Sequence, residues 1–282
     1  MTMQLIPGEG GLRRLRLTAN DGARAEIYQH GAHLTSWIPA GGDERLYLSR
    51  KAQFKPGVAI RGGVPVIFPQ FAGEGALPKH GFARGLPWRL VEAAQPQQGP
   101  AIAVFGLEDA DATRAIWPHA FQAELRVSVG GAVLETTLSV ENTGKTEISF
   151  TAALHTYIRV PEIGGVRLHG LQGLHYRDTA QGGKAAVESA DSLPIEGEID
   201  RIYCNAPARL DLIDALGRLR IESAGFADAV VWNPGAERAA ALSDLDAEGY
   251  RNFLCVEAAA VGVPLRLAPG ARWSGMQRLV QE

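Results

Sequence analysis

Five side chains in this sequence pair proton-transfer chemistry with anion recognition: His80, His155, Glu257, Arg61 and Arg84. His155 lies in EISFTAALHTYIRV, Glu147 to Val160, where Ile148, Phe150, Ala152, Leu154, Ile158 and Val160 alternate on one apolar face. His155 therefore shares the other face with Ser149, Thr151, Tyr157 and Arg159. A polar face in mid-protein meets water or a ligand, whereas a lone strand histidine is otherwise a packed, hydrogen-bonded residue. Glu257 closes the apolar run FLCVE, where burial would raise its pKa toward a value useful in a proton acceptor. Solvation at a strand end would leave it an ordinary carboxylate.

His80 and Arg84 sit in PKHGFARGLPW, Pro78 to Trp88, a Pro- and Gly-rich loop rather than a helical face. Simple exposure is the plain alternative for His80. Arg61 precedes two glycines in AIRGGVPVIFPQF. Guanidinium groups engage oxyanions with paired donors, so Arg61 and Arg84 suit phosphate, with a surface salt bridge as the alternative for each. The glycines allow either a ligand or a tight turn to come close to the backbone.

The elements that must position these residues are strands. FQAELRVSV (121–129) and AVLETTLSV (132–140) alternate apolar and polar residues about a Gly-Gly turn, as a hairpin does. LRRLRLT (12–18), RAEIYQH (24–30), RLYLS (45–49), VPVIF (64–68), AIAVFGL (101–107), RLRIES (218–223), FADAVVW (226–232), FLCVE (253–257) and ARWSGMQRLV (271–280) extend the series. Helical periodicity is scarce, and the pattern predicts a large antiparallel sandwich. The polar stretch 180–198 reads as a surface loop or hairpin excursion.

A formal charge of −3 and a pI near 6.2 offer no general attraction to nucleic acid or an anionic membrane, so a bound anion must be held by a few placed residues. No apolar run has the length of a membrane span, and the start of the chain lacks the pattern of a signal peptide, which predicts a cytoplasmic protein. Cys204 and Cys255 are far apart and read as reduced, packed thiols. The HGAH pair His30 and His33 lies in a turn with no third ligand, so no metal site is expected there.

Taken in order, IRGGVPVIFPQF at Ile60, PKHGFARGLPW at Pro78, ALHTYIRV at Ala153, IDRIY at Ile199, VVWNP at Val230 and FLCVE at Phe253 resemble the aldose 1-epimerase superfamily. Within it they are most similar to the hexose-6-phosphate mutarotase branch. The resemblance covers nearly the whole chain and implies one all-β domain over residues 1–282, a galactose mutarotase-like β-supersandwich with a sugar groove on a concave sheet. It implies His155 as general acid, Glu257 as general base, His80 as a hydrogen-bond partner near the anomeric carbon, and Asp200 as a ligand of sugar hydroxyls. It puts Arg61 and Arg84 at the substrate site as candidates for the 6-phosphate, and Gln70 and Phe71 along the groove. The implied partner is a small sugar phosphate bound by a monomer without cofactor or metal. Anomer exchange needs a proton taken from the C1 hydroxyl and another given to the ring oxygen, with the roles reversed on closure. An epimerase for free aldoses or another phosphosugar, and a non-catalytic sugar-binding sandwich, are the alternatives.

Three departures from the family pattern bear on loop geometry. Ala258 and Ala259 follow Glu257 where Pro and Gly are common, and Ala72 stands where a glycine is common. WNPGAERAAALSDL also lacks the usual aromatic after its proline and the lysine further on.

Overall fold

The computed structural model describes residues 4–282. Antiparallel strands fall into three sheets. The largest has nine strands, in the order Ser192–Pro194, Arg167–His169, Arg209–Asp214, Gly217–Ala224, Arg272–Gln281, Val133–Asn142, Phe121–Gly130, Ala101–Glu108 and Arg89–Ala94. The second runs Lys184–Val187, His175–Asp178, Ile199–Tyr203, Asp228–Asn233, Phe253–Leu267, Ile148–Leu154 and Val66–Ile67, with Tyr157–Arg159 also paired to Phe253–Leu267. A third, of four strands, spans Ile6–Pro7, Arg13–Thr18, Arg24–Tyr28 and His33–Ile38. Among the described residues no helix is long and apolar enough to cross a membrane.

Period two decides where the core lies. In Phe253–Leu267 the even-numbered Leu254, Val256, Ala258 and Ala260 join Leu154, Val231, Phe105, Leu125 and Leu138 in the main apolar cluster between the two large sheets. The odd-numbered Phe253 and Cys255 pack on the other face with Tyr157 and Trp232, and Ala259 and Val261 with Phe71, Ala153, Ile202 and Val230. A strand buried on both faces therefore carries Glu257 on the side away from the main core.

The hairpin 121–142 and the strands that close the sandwich lie where the alternation predicts them. The polar 180–198 stretch holds a hairpin, with Lys184–Val187 at the edge of the second sheet. RLYLS makes only isolated bridges, because Leu46 pairs with Ile158 and Leu48 with Gly62, two different partners. VPVIF shortens to Val66–Ile67, since Pro65 and Pro69 have no N–H to give a ladder. EISFTAALHTYIRV divides into Ile148–Leu154 and Tyr157–Arg159, with His155 and Thr156 at the break. His33–Ile38 escapes a period-two reading because it is buried on both faces along most of its length.

The glycines after Arg61 serve close backbone packing. Gly62 has φ +109 and a Cβ on it would lie 2.3 Å from the Tyr47 carbonyl oxygen; Gly63 has φ +62 and its Cβ would lie 2.1 Å from the Leu34 carbonyl oxygen. This wedge between residues 34 and 47 fixes the backbone that carries Arg61. Gly63→Ala should accordingly lower the unfolding free energy by about 2–4 kcal/mol through clash and left-handed strain. Gly131→Ala, with φ +57 but no atom within 4 Å, should cost only about 1–2 kcal/mol. Urea denaturation of the two variants checks this, and equal losses would refute the packing role.

Candidate active site

The face of the second sheet that carries the odd-numbered residues of Phe253–Leu267 forms the floor of a groove of about 560 Å³. The ladder pairs Leu154 with Ala258 and Tyr157 with Cys255, so the register leaves His155 opposite Glu257. Val230 pairs with Glu257 on the next strand and with Ile202 beyond it, and all four side chains line one row of the groove. The neighbouring row runs Asp200, Trp232, Cys255, Tyr157. Sheet register alone thus brings together residues about 100 positions apart in sequence.

His155 Nε2 stands 3.3 Å from Glu257 Oε1. Both side chains are almost wholly removed from water, and neither His155 Nδ1 nor Glu257 Oε2 has a protein partner. Burial pushes Glu257 well above the usual carboxylate range, helped by Asp200 and opposed by Arg84. Burial likewise pushes His155 well below the usual imidazole range, with His80, Arg84 and Arg61 adding to the shift. The pair therefore favours one shared proton in a carboxylic acid and a neutral imidazole, the isomer of a carboxylate and an imidazolium.

Two contacts hold His155 in place. Its ring stacks on Tyr157, centroids 4.9 Å apart and planes 10° from parallel, and meets Trp232 edge-on at 5.8 Å. Behind it, Gln277 of the Arg272–Gln281 strand accepts a hydrogen bond from Thr156 Oγ1 and donates to the Val256 carbonyl at 2.9 Å. One amide from the opposite sheet thus ties down the neighbours of both His155 and Glu257.

His80 reaches the groove from its loop with a left-handed φ of +67. Its backbone N–H donates to the Ala72 carbonyl at 2.8 Å, and the Ala72 N–H donates to His80 Nδ1 at 3.3 Å. That contact leaves the proton of a neutral ring on Nε2, a hydrogen-bond donor for a groove ligand. Burial, then Arg84, Lys79 and Arg61, push its pKa down to about 3, so the ring is neutral at physiological pH. The His80 and His155 centroids are 5.7 Å apart.

The cations divide into two kinds. Arg61 donates to Tyr157 Oη at 2.9 Å and to Asp244 Oδ1 at 3.1 Å, so both ends of its fork are engaged. Arg84 gives one hydrogen bond to the Lys79 carbonyl at 2.9 Å, and among the described residues no carboxylate lies within ion-pair distance of Arg84 or Lys79. Arg238, in the helix Gly235–Ala241, lines the same rim and is paired with Glu198 at 2.8 Å. Asp200 also lines the groove, and burial raises its pKa.

His155, Glu257, His80, Arg61, Arg84 and Asp200 therefore converge, as does Phe71. Gln70 does not face the groove. It is buried beneath the 72–77 loop, donating to the Ala72 and Leu77 carbonyls and accepting from the Leu77 N–H at 2.9 Å, so its capacity is spent on shaping the loop. Arg159 shares sequence parity with His155 but lies beside Glu44 in a separate pocket, and Ser149 is exposed. Sequence reasoning missed Lys79 as a groove cation, Trp232 as a wall and Asp244 as the partner of Arg61. All three lay inside stretches already singled out, Asp244 within WNPGAERAAALSDL, but Asp244 is 183 positions from Arg61 and nothing in the sequence pairs the two. His30 and His33 hold the Val58 and Gly62 carbonyls, at 2.7 and 2.8 Å.

Fold and groove define an antiparallel β-sandwich with a buried imidazole–carboxyl pair on the floor of a groove rimmed by cations. Residues 13–279 match the aldose 1-epimerase family, and the chain belongs to that family. A relative in Cenchrus ciliaris, named as a candidate glucose-6-phosphate 1-epimerase, is 38% identical over 96% of this chain and 85% of its own length. One of the same name in Escherichia coli K12 is 37% identical over 84% of this chain and 79% of its own. The crystal structure of a candidate mutarotase from Salmonella typhimurium superposes with a TM-score of 0.88 at 30% identity, covering 99% of this chain and 97% of that one. A galactose mutarotase-like protein from Clostridium acetobutylicum shares the fold with a TM-score of 0.78 at 17% identity, over 98% and 97% of the two chains.

The buried histidines make stability depend on pH. Burial holds both His33 and His80 down to about 3, against an ordinary value of 6.5. Between these limits the unfolded chain binds protons that the native chain refuses, so their contribution is intact above pH 6.5 and is lost as pH falls toward 3. His155, also depressed, adds to this loss, while the raised Glu257 favours the native state at low pH and offsets it. Between pH 6.5 and 5 the unfolding free energy should fall by roughly 1–3 kcal/mol per pH unit on account of His33 and His80. Urea midpoints at the two pH values check this, and a midpoint that held steady or rose on acidification would contradict it.

Proposed function

We propose that this protein interconverts the α and β anomers of a hexose 6-phosphate, glucose 6-phosphate in particular, acting as a one-domain monomer. The observation that carries the reading is the union, in one groove, of the Glu257–His155 pair at 3.3 Å with two cations, Arg84 and Lys79, that have no carboxylate partner among the described residues. The names of the relatives support it. A phosphosugar dianion does not cross membranes unaided, so the activity belongs in the cytoplasm, where such sugars are made.

The two oxygens on an anomeric carbon are geminal, so an acid and a base on one groove floor can each reach one of them. Nε2 and Oε1, 3.3 Å apart, are close enough to serve both. Glu257 as carboxylate takes the proton of the C1 hydroxyl while His155 as imidazolium gives one to the ring oxygen, and the C1–O5 bond breaks as the aldehyde forms. Rotation about C1–C2 and return of both protons closes the ring on the other face. Opening leaves a carboxylic acid and a neutral imidazole, the forms that burial favours. The Nε2–H of His80 supports the C1 oxygen, and Asp200 orients sugar hydroxyls. Arg84 and Lys79 take the phosphate, with Arg238 at the rim.

Anomer exchange of glucose 6-phosphate, followed by polarimetry or exchange NMR, tests the reading. Wild type should exceed the buffer rate, and His155→Ala and Glu257→Gln should each lose about 10²- to 10⁴-fold in kcat. Equal rates for wild type and buffer would end the proposal. Arg84→Ala should raise KM for glucose 6-phosphate roughly ten- to hundred-fold, the loss of a charge-assisted contact. The same variant should lose far less in kcat/KM on free glucose, where only the charge of Arg84 near Glu257 is missed, and a parallel loss on both sugars would remove Arg84 from the phosphate site.

A further inference from the structure

We propose that Asp244 is a positioning residue: by engaging the Arg61 guanidinium it makes Arg61 a prop for Tyr157, and through Tyr157 for the His155 imidazole, rather than a ligand of the substrate's anion. The inference rests on the anomer-exchange reading of the groove.

The chain of contacts is continuous. Arg61 presents Nη2 to Asp244 Oδ1 at 3.1 Å and Nη1 to Tyr157 Oη at 2.9 Å. Tyr157 lays its ring flat against His155, 4.9 Å between centroids, while Trp232 and Phe253 hold its other sides at 5.9 and 5.1 Å. With its hydroxyl fixed by Arg61 and its ring wedged among aromatics, Tyr157 has one orientation to offer the imidazole. Asp244 is itself held a second time, since its carbonyl accepts from Ser49 Oγ at 2.8 Å. The backbone beneath Arg61 is locked by the Gly62–Gly63 wedge. A guanidinium held at both ends by a buried phenol and a carboxylate is poorly placed to change partners for an incoming phosphate, whereas Arg84 and Lys79 have no carboxylate to release among the described residues.

Catalysis by a positioned acid is sensitive to small displacements, so loosening the prop should slow the chemical step without weakening anion capture. Asp244→Asn, which keeps the shape and removes the charge, and Tyr157→Phe, which keeps the ring and removes the hydroxyl, are compared with wild type and Arg84→Ala. The readouts are kcat and KM on glucose 6-phosphate and the ¹⁵N resonances of the His155 imidazole. Asp244→Asn and Tyr157→Phe should lower kcat on the order of ten- to hundred-fold with KM within about two-fold, and both should move the His155 resonances. Arg84→Ala should show the opposite split. A raised KM with intact kcat in Asp244→Asn would make Arg61 an anion ligand and overturn the proposal, as would unchanged kcat and unchanged resonances. Should wild type itself fail to exchange anomers, the functional reading falls, and the resonances still decide whether Asp244 positions His155. Tyr157→Phe decides the same question if Asp244→Asn does not fold.

Discussion

The structure depends on keeping a carboxyl and an imidazole in contact while removing both from water. An isolated charge at either position would be heavily penalised, but the pair can hold a single proton and remain neutral as a unit. Such a pair needs a rigid floor, and Glu257 lies on the Phe253–Leu267 strand, flanked on both sides in the second sheet. It also needs fixed neighbours, which Gln277 secures by bonding Thr156 and Val256 from the sheet behind. The cations stand at the rim rather than on the floor, near enough for Arg84 to oppose the rise of Glu257 without neutralising it.

This arrangement explains why a sandwich suits the chemistry. In the proposed reaction, opening a sugar ring moves one proton onto the base and one off the acid, so the ionised pair becomes the neutral pair and closure restores it. Burial lowers the free energy of the neutral side of that exchange, which is the side that accompanies the otherwise unfavourable aldehyde. Deeper burial would trap the pair in its neutral form, and shallower burial would lose the advantage to water. The placement of both groups at the floor of an open groove lies between these extremes.

Much of this was legible in the chain, and the parts that were not have physical reasons. Alternation alone separates His155 and Tyr157 from the apolar face of their strand, but FLCVE is apolar on both faces, so only the sheet register puts Glu257 on the groove side. What alternation cannot supply is register: the opposition of His155 to Glu257 follows from ladders closed between segments about 100 residues apart. Parity also misleads where a strand leaves the groove, as Arg159 does. Gln70 follows the right motif yet spends its amide on the 72–77 loop, a role that only three-dimensional hydrogen bonds reveal. His33–Ile38 is buried on both faces, which erases the period-two signal that marks half-buried strands.

The departures from the family pattern sharpen the same point. Ala258 and Ala259 are buried in the middle of the sheet against Leu154 and Ala153, where small side chains fit between paired strands and leave Glu257 in register. Ala72 adopts φ +47, a conformation that glycine takes more readily, and it is held there by its two hydrogen bonds with His80, so local strain is exchanged for a fixed His80 ring. Gly235 replaces the aromatic that commonly follows the proline. It has φ +62, and a Cβ would lie 2.7 Å from the Glu198 nitrogen, so the short helix after it can start directly against the 197–198 turn. Arg238 then reaches Glu198 and the groove rim, where the family pattern has a lysine further along this loop. The rim thus carries a cation with an anchor of its own, the Glu198 carboxylate.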